Sequence, residues 1–238
     1  KGINSVCQKK GFTVMICESD GDRKKEKVLL ERMQEQRASG VLLAGVNIDS
    51  DRVKWMLDLD FPVVLFTQQA SDGKTKINTV IHDNKKAVID AVEFLAVNGH
   101  KRIAYISGPK EDYSSGTLRL QGFREAVDKL GLEIPESYIT IGDFSYDSGV
   151  KAMQRSYEES MVLPTAVLAC CDMTAVGAQA CIAKFGMKVP EDISVMGIDD
   201  SEVSMYVTPA LSTVRIPYYD EGKKAAEELF SLIENQEK

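Results

Sequence analysis

Three side chains of complementary chemistry stand just beyond apolar runs of this sequence: the guanidinium of Arg119, the ring of Phe144 and the carboxylate of Asp199. An aromatic face stacks on the C–H or π surface of a ring, while a guanidinium and a carboxylate supply directional, charge-assisted hydrogen bonds. Together they suit a polyhydroxy ring or a heterocycle, and Arg119 also suits a carboxylate or phosphate on such a ligand. Ser145 and the pair Cys171-Asp172 occupy the same kind of place after an apolar run. Plainer readings stand beside these. Asp172 and Ser145 fit helix N-caps, Phe144 fits a loop residue packed inward, and Arg119 alone fits a surface ion pair.

A reaction centre is harder to find. The two histidines, His82 and His100, lie in separate segments with no Cys, Asp or His at metal-ligand spacing. No Gly-x-Ser-x-Gly elbow, Walker loop or dinucleotide Gly-x-Gly-x-x-Gly occurs. Asp199 and Asp200 are neighbours on a loop, where carboxylates diverge, and make a poor general acid and base pair. The expectation is a binding protein for a small polar ligand, not an enzyme, with no cofactor and no metal.

The elements that must hold these side chains follow a simple rhythm. Short apolar runs of strand type alternate with amphipathic stretches: Phe12 to Cys17, helical Arg23 to Glu35, Val41 to Leu43, helical Asp51 to Leu57, then Val63 to Phe66. A helix over Asn84 to Asn98 carries an apolar stripe of Ala87, Val88, Ala91, Val92 and Leu95 before Gly99 closes it. Strands at Arg102 to Ser107, Tyr138 to Ile141, Ala166 to Cys170 and Ser194 to Ile198 alternate with further helices, and a last helix spans Asp220 to Asn235. Repeated βα units predict α/β architecture with parallel sheets under helical cover. In such sheets ligands bind beyond the carboxyl ends of strands, which is where Arg119, Phe144, Cys171-Asp172 and Asp199 fall.

The rhythm restarts near Asn98 and Gly99, and the stretch Arg215 to Pro217 reads as a second crossing. Two lobes are therefore expected, one from residues 1–98 with 216–238 and the other from 99–215. A length of 238 residues suits two small lobes. The net charge of −7 argues against this segment holding nucleic acid alone, and the mixed charges of residues 20–27 read as a turn and a solvated helix start. No apolar run approaches the roughly 18 residues of a membrane span. Five cysteines, two of them adjacent, fit reduced thiols of a cytoplasmic protein, and the start is too polar for a signal peptide.

Four segments in order, Asn98 to Pro109, Arg119-Leu120-Gln121-Gly122-Phe123, Val189 to Asp200 and Thr208 to Arg215, resemble the effector-binding core of the LacI/GalR family of transcription regulators. The resemblance spans essentially the whole chain. It implies two periplasmic-binding-protein-like, Rossmann-like lobes joined by three crossovers, with a small-molecule effector between them, in a homodimer that alters its binding of operator DNA. The DNA-binding helix-turn-helix is expected upstream of Lys1, and a first core strand and a final strand are expected to be missing, so the chain is read as truncated at both ends.

Residue by residue, Arg119 matches the family's effector-contacting arginine, Phe144 its stacking aromatic and Asp199 its ligand-binding aspartate. Ser115 falls at a polar position near the ligand, and Gln68 at a variable position facing the cleft. Cys171 and Asp172 stand where the family has Asn-Asp; a thiol does not replace an amide's donor and acceptor. Ile216 stands where many members have Gln. By family analogy the effector is a sugar or sugar derivative. The alternative reading is a secreted solute-binding protein for a sugar transporter, from which the Val-Pro-Glu-Asp-Ile-Ser-Val piece separates the regulators. An enzyme acting on a sugar or sugar phosphate is the third.

Overall fold

Aspartates start three of the helices. Asp22 accepts hydrogen bonds from the N–H groups of Lys24 and Lys25, Asp49 from that of Arg52, and Asp83 from that of Lys86, each satisfying donors that a helix start leaves open. The structure, a computed structural model, describes residues 1–72 and 76–236. Its chain divides into two compact units, Lys1–His82 with Pro217–Lys238 and Asp83–Ile216.

The first unit begins with α1 (Gly2–Lys10), α2 (Arg23–Glu35), β1 (Val41–Leu43), α3 (Ser50–Leu57), β2 (Val63–Phe66) and β3 (Thr79–Val80). The strands lie parallel in the order β1-β2-β3, with Val41 opposite Val63 and Leu65 opposite Thr79. Leu30, Ile48, Val53, Met56, Phe61 and Leu65 form the core of this unit. The segment Phe12 to Cys17, expected as a strand, pairs with no strand among the described residues. Its apolar content is the strand signal, but a strand needs a hydrogen-bonded neighbour. Phe12 instead packs edge-on against Phe230 at 4.9 Å, while Ile16 is 89% exposed.

The second unit runs α4 (Asn84–Val97), β4 (Ile103–Ser107), one π-helical turn (Tyr113–Thr117), α5 (Leu118–Lys129), β5 (Ile139–Ile141), α6 (Tyr146–Glu159) and β6 (Ala166–Ala169). It continues with α7 (Asp172–Lys184), β7 (Ser194–Asp199), the short α8 (Val203–Tyr206) and β8 (Ser212–Arg215). The chain then returns to the first unit as α9 (Tyr218–Gln236). All five strands are parallel, in the order β5-β4-β6-β7-β8. Alternation sends Ile103, Tyr105, Ala166 and Leu168 to the face covered by α4 and α5, and Ala104, Ile106, Val167 and Ala169 to the face covered by α6 and α7. Both faces are covered, which is why β4 and β6 are buried throughout.

The first crossing lies earlier than the Asn98–Gly99 boundary expected from the sequence. Helix α4 buries Ala87, Val88, Ala91, Val92 and Leu95 with Ile103, Tyr105 and Phe123 of the second unit, and Gly122 of α5 lies against the backbone of Lys85. Val88, Val92 and Phe123 are completely buried there, each worth about 1.5–3 kcal/mol. The helix therefore belongs to the second unit, and the chain crosses between His82 and Asp83. A helix stripe declares that it packs, not on which sheet. Strand β8, assigned no element from the sequence and running up to the crossing expected at Arg215 to Pro217, is the edge of the second sheet, with Thr213 opposite Gly197. Among the described residues the chain passes between the units twice.

Candidate ligand-binding site

The strand order of the second sheet defines where a ligand would sit. From β4 the chain moves outward to β5, then returns past β4 to β6, so the connections diverge between the carboxyl ends of β4 and β6. Such a switch point opens a crevice in parallel sheets. Arg119, at the start of α5, spans it: its Nε donates to Asn84 Oδ1 at 2.7 Å, and its Nη1 donates to the carbonyl of Cys170, just after β6. Only 2% exposed, Arg119 is a built-in cation rather than a surface ion-pair partner. Ser115, partly buried in the π-helical turn one step before, donates its N–H to the buried Asp112 carboxylate at 2.7 Å.

Close packing of α6 on α7 brings the next residues to the same rim. A Cβ on Gly149 would lie 2.0 Å from the Thr174 carbonyl oxygen, and one on Gly177 2.0 Å from that of Tyr146, so only glycines allow these two helices their approach. Their starts consequently meet: the Thr174 hydroxyl donates to the Ser145 carbonyl at 3.2 Å, and the Cys171 thiol to that of Phe144 at 3.4 Å. Ser145 is the N-cap of α6, accepting from the Ser148 N–H at 3.0 Å. Phe144 stands half-buried at φ 67°, its ring laid on Gly108, where an added Cβ would fall 2.4 Å from Cε1. A non-glycine residue held in left-handed conformation marks a constrained site.

Asp199 ends β7 at φ 131°, and Asp200 follows at φ 57°. The Asp199 carboxylate is partly exposed at the rim, and its charge reaches the Cys171 thiol. Asp172 has a different position. It is completely buried, with Oδ2 accepting from the N–H and hydroxyl of Ser201 at 2.7 and 2.8 Å and Oδ1 accepting from the Thr213 hydroxyl. Its bonds tie α7 to β8 and to the loop after Asp199. The N-cap of α7 is Cys171, one residue earlier than the N-cap reading of Asp172.

The vicinal thiols differ from each other. A hydrogen bond from Cys170 lowers Cys171 to about 7, burial opposes this, and the Thr174 hydroxyl and N–H lower it further. The same contact and burial push Cys170 well above the ordinary thiol range. Burial likewise raises Tyr105 on β4. Ile216, at the crossing, is buried in the core beneath α4 and α5.

In the first unit Gln68 is 7% exposed and follows Thr67, which stands at φ 61° at the end of β2. Glu221 of α9 accepts the Thr67 N–H at 2.9 Å and holds His82 Nδ1 at 2.9 Å, all three within this unit. Six of the seven candidate residues thus belong to the second unit, and Gln68 to the first. The sequence reading missed Asn84, Gly108, Ser201, Thr213 and Glu221. Gly108 was legible as part of a loop; the others lie far along the chain from what they hold. Among the described residues no group of three or more His, Cys, Asp or Glu side chains is arranged to bind a metal, and no helix is long and apolar enough to cross a membrane.

Residues 92–238 match the family of periplasmic binding protein-like domains. Over 225 residues the chain is 31% identical to catabolite control protein A of Priestia megaterium, covering 94% of this chain and 67% of that protein. The chain belongs to the LacI/GalR family of transcription regulators. The ribose operon repressor of Escherichia coli K12 is 32% identical over 235 residues, 98% of this regulator chain and 70% of the repressor. The solved complex of the transcriptional regulator CelR with cellobiose superimposes with a TM-score of 0.90 at 29% identity, covering 99% of this chain and 71% of that one. These relatives are regulators, not enzymes, and the two parallel sheets of this chain have the fold of their cores.

Proposed function

We propose that this chain is the effector-sensing core of a cytoplasmic, homodimeric LacI-type regulator that holds a small polar metabolite, a sugar or sugar derivative, at the carboxyl ends of the strands of its second unit. The observation that carries the reading is Arg119: a buried guanidinium spanning the switch point between β4 and β6, in the unit whose strands β5 and β7 are followed by Phe144 and end on Asp199. Arg119 and Asp199 orient polar groups of the effector, Phe144 stacks on its apolar face, and Ser115 and Cys171 line the remainder. Asp172 acts through the loop it anchors. Two relatives, a ribose operon repressor and a regulator solved in complex with cellobiose, support a sugar.

Binding changes DNA affinity only if effector contacts differ between two conformations of the core. Operator DNA is read by a helix-turn-helix domain outside these residues. Native mass spectrometry of the purified protein against a panel containing D-ribose, cellobiose, sugar phosphates and nucleosides reads ligand mass and subunit number together. A bound member whose calorimetric affinity falls at least tenfold in Arg119→Lys and Asp199→Asn supports the site. Unchanged affinity in both variants refutes it.

A further inference from the structure

We propose that the two charges of the ligand rim are fastened to the two crossings of the chain: Asn84 is a positioning residue for Arg119 at the first, and Arg215 with Asp200 positions Asp199 at the second. The inference deepens the reading of Arg119 and Asp199 as effector contacts and rests on it. The first crossing lies between His82 and Asp83, and Asn84 follows as the first residue of α4. Asn84 is 2% exposed, and its Oδ1 accepts from Arg119 Nε at 2.7 Å. A Cβ on Gly122, one turn after Arg119, would lie 2.6 Å from the Lys85 carbonyl oxygen, so only a glycine lets α5 approach the start of α4 this closely. With Nε held by Asn84 and Nη1 by the Cys170 carbonyl, two nitrogens of one rigid fork are fixed, and the plane of the guanidinium with them.

The second crossing lies between Ile216 and Pro217. Arg215 stands opposite Asp199 in the register of β7 with β8, and the Ile216 N–H donates to the Asp199 carbonyl at 3.3 Å. Asp199 and Asp200 both hold left-handed backbone, at φ 131° and 57°, which a residue with a side chain keeps only when its surroundings impose it. At Asp200 they do: its N–H donates to the Thr213 hydroxyl at 3.2 Å, and its carboxylate accepts from Arg215 Nε. Releasing Asp200 therefore turns Asp199, with which it shares a peptide unit. On the other side of both crossings Glu221 gathers the chain. It holds His82 Nδ1 at 2.9 Å and donates its N–H to the Pro217 carbonyl at 2.9 Å. A circuit thus runs from Arg119 through Asn84, His82, Glu221 and Ile216 to Asp199. An effector bound to both charges acts on it at both ends, so both crossings take part in the change that the effector selects.

Two measurements on the whole chain without ligand test the fastenings. In nitrogen-15 NMR the Arg119 Nε–H, identified by its loss in Arg119→Lys, exchanges slowly with water at about pH 8 because its hydrogen is bonded and buried. Asn84→Asp keeps an acceptor at the same reach and retains this resonance, whereas Asn84→Ser, whose oxygen ends one bond nearer the backbone, loses it. A resonance missing from the parent or surviving in Asn84→Ser overturns the first fastening. In hydrogen exchange read by peptide mass spectrometry, Arg119→Lys speeds the amides of residues 84–87 roughly tenfold, and Arg215→Gln those of 198–202 and 214–218 by a similar factor, beyond any change in β4 and β6. About 0.5 M salt speeds the 214–218 peptide of the parent and not that of Arg215→Gln, since a salt bridge whose arginine side chain is 80% exposed is screened. Exchange unchanged at both crossings, or raised evenly across the second unit, overturns the proposal, and indifference of the parent to salt at 214–218 overturns the second fastening. These patterns in a protein whose calorimetric ligand affinity ignores Arg119→Lys and Asp199→Asn leave the fastenings standing and the effector reading refuted.

Discussion

Replacing Asp172 by Asn tests whether this carboxylate is a structural anchor of the rim. The side chain is 0% exposed and accepts three hydrogen bonds, two from Ser201 and one from Thr213. Asn keeps one acceptor, which Thr213 retains, but turns an NH2 group toward the Ser201 N–H. Bonds to a charged acceptor are worth about 1.5–3 kcal/mol and neutral ones about 0.5–1.5, while a buried amide without a partner costs about 1–3 kcal/mol. The substitution therefore destabilises the protein by about 2–4 kcal/mol, a large share of the roughly 5–15 kcal/mol of a typical domain. Urea unfolding followed by circular dichroism measures this as a lower midpoint at unchanged slope. Thr213→Val, which removes one donor and leaves Oδ1 without it, costs less, about 1–2 kcal/mol. An Asn variant within about 0.5 kcal/mol of the parent refutes the anchor, since that is the scatter of neutral surface changes. Loss of the anchor also frees the loop that sets Asp199, so effector affinity falls with stability.

Gly108→Ala drives a methyl into the ring of Phe144, 2.4 Å from Cε1, and weakens effector binding roughly tenfold in calorimetry while lowering stability by about 1–2 kcal/mol. Glu221→Gln disrupts the buried bonds to Thr67 and His82 and lowers stability by about 1–3 kcal/mol, read as the urea midpoint. Thr67→Gly, at φ 61°, relieves left-handed strain and raises stability by about 0.5–1 kcal/mol, read as a higher urea midpoint. Backbone N–H groups at helix starts hold the Asp22 and Asp49 carboxyls below their usual value of 3.8. Their stabilisation is fully present above that value and is lost as pH falls through the lower folded ones, so stability drops below about pH 4. Asp49→Asn flattens this dependence in a series of urea midpoints from pH 5 to 2.

Periodicity made most of the architecture legible. Strands β1 and β2 and helix α2 have the bounds their apolar patterns predict, because alternating burial and Asp caps are local signals. That Phe144 and Asp199 lie at strand ends, with Arg119 on the helix after β4, was legible because a parallel sheet puts its strand ends at one rim whatever the strand order. Phe12 to Cys17 misled for the converse reason: a strand pattern is written in one segment, but its hydrogen bonds belong to two.

Composition and spacing were enough to establish α/β units, and the resemblance of four segments to a known family pointed to the regulators. Folding in three dimensions settled the rest. Strand order decided that the crevice opens between β4 and β6, the Gly149 and Gly177 contacts decided that Phe144 meets Cys171, and packing decided that α4 belongs with the second unit. It also gave Asp172 its partners at Ser201 and Thr213, 29 and 41 residues away. Such contacts join residues distant in sequence, and no local pattern encodes a hydrogen bond whose two ends meet only when the sheet has formed.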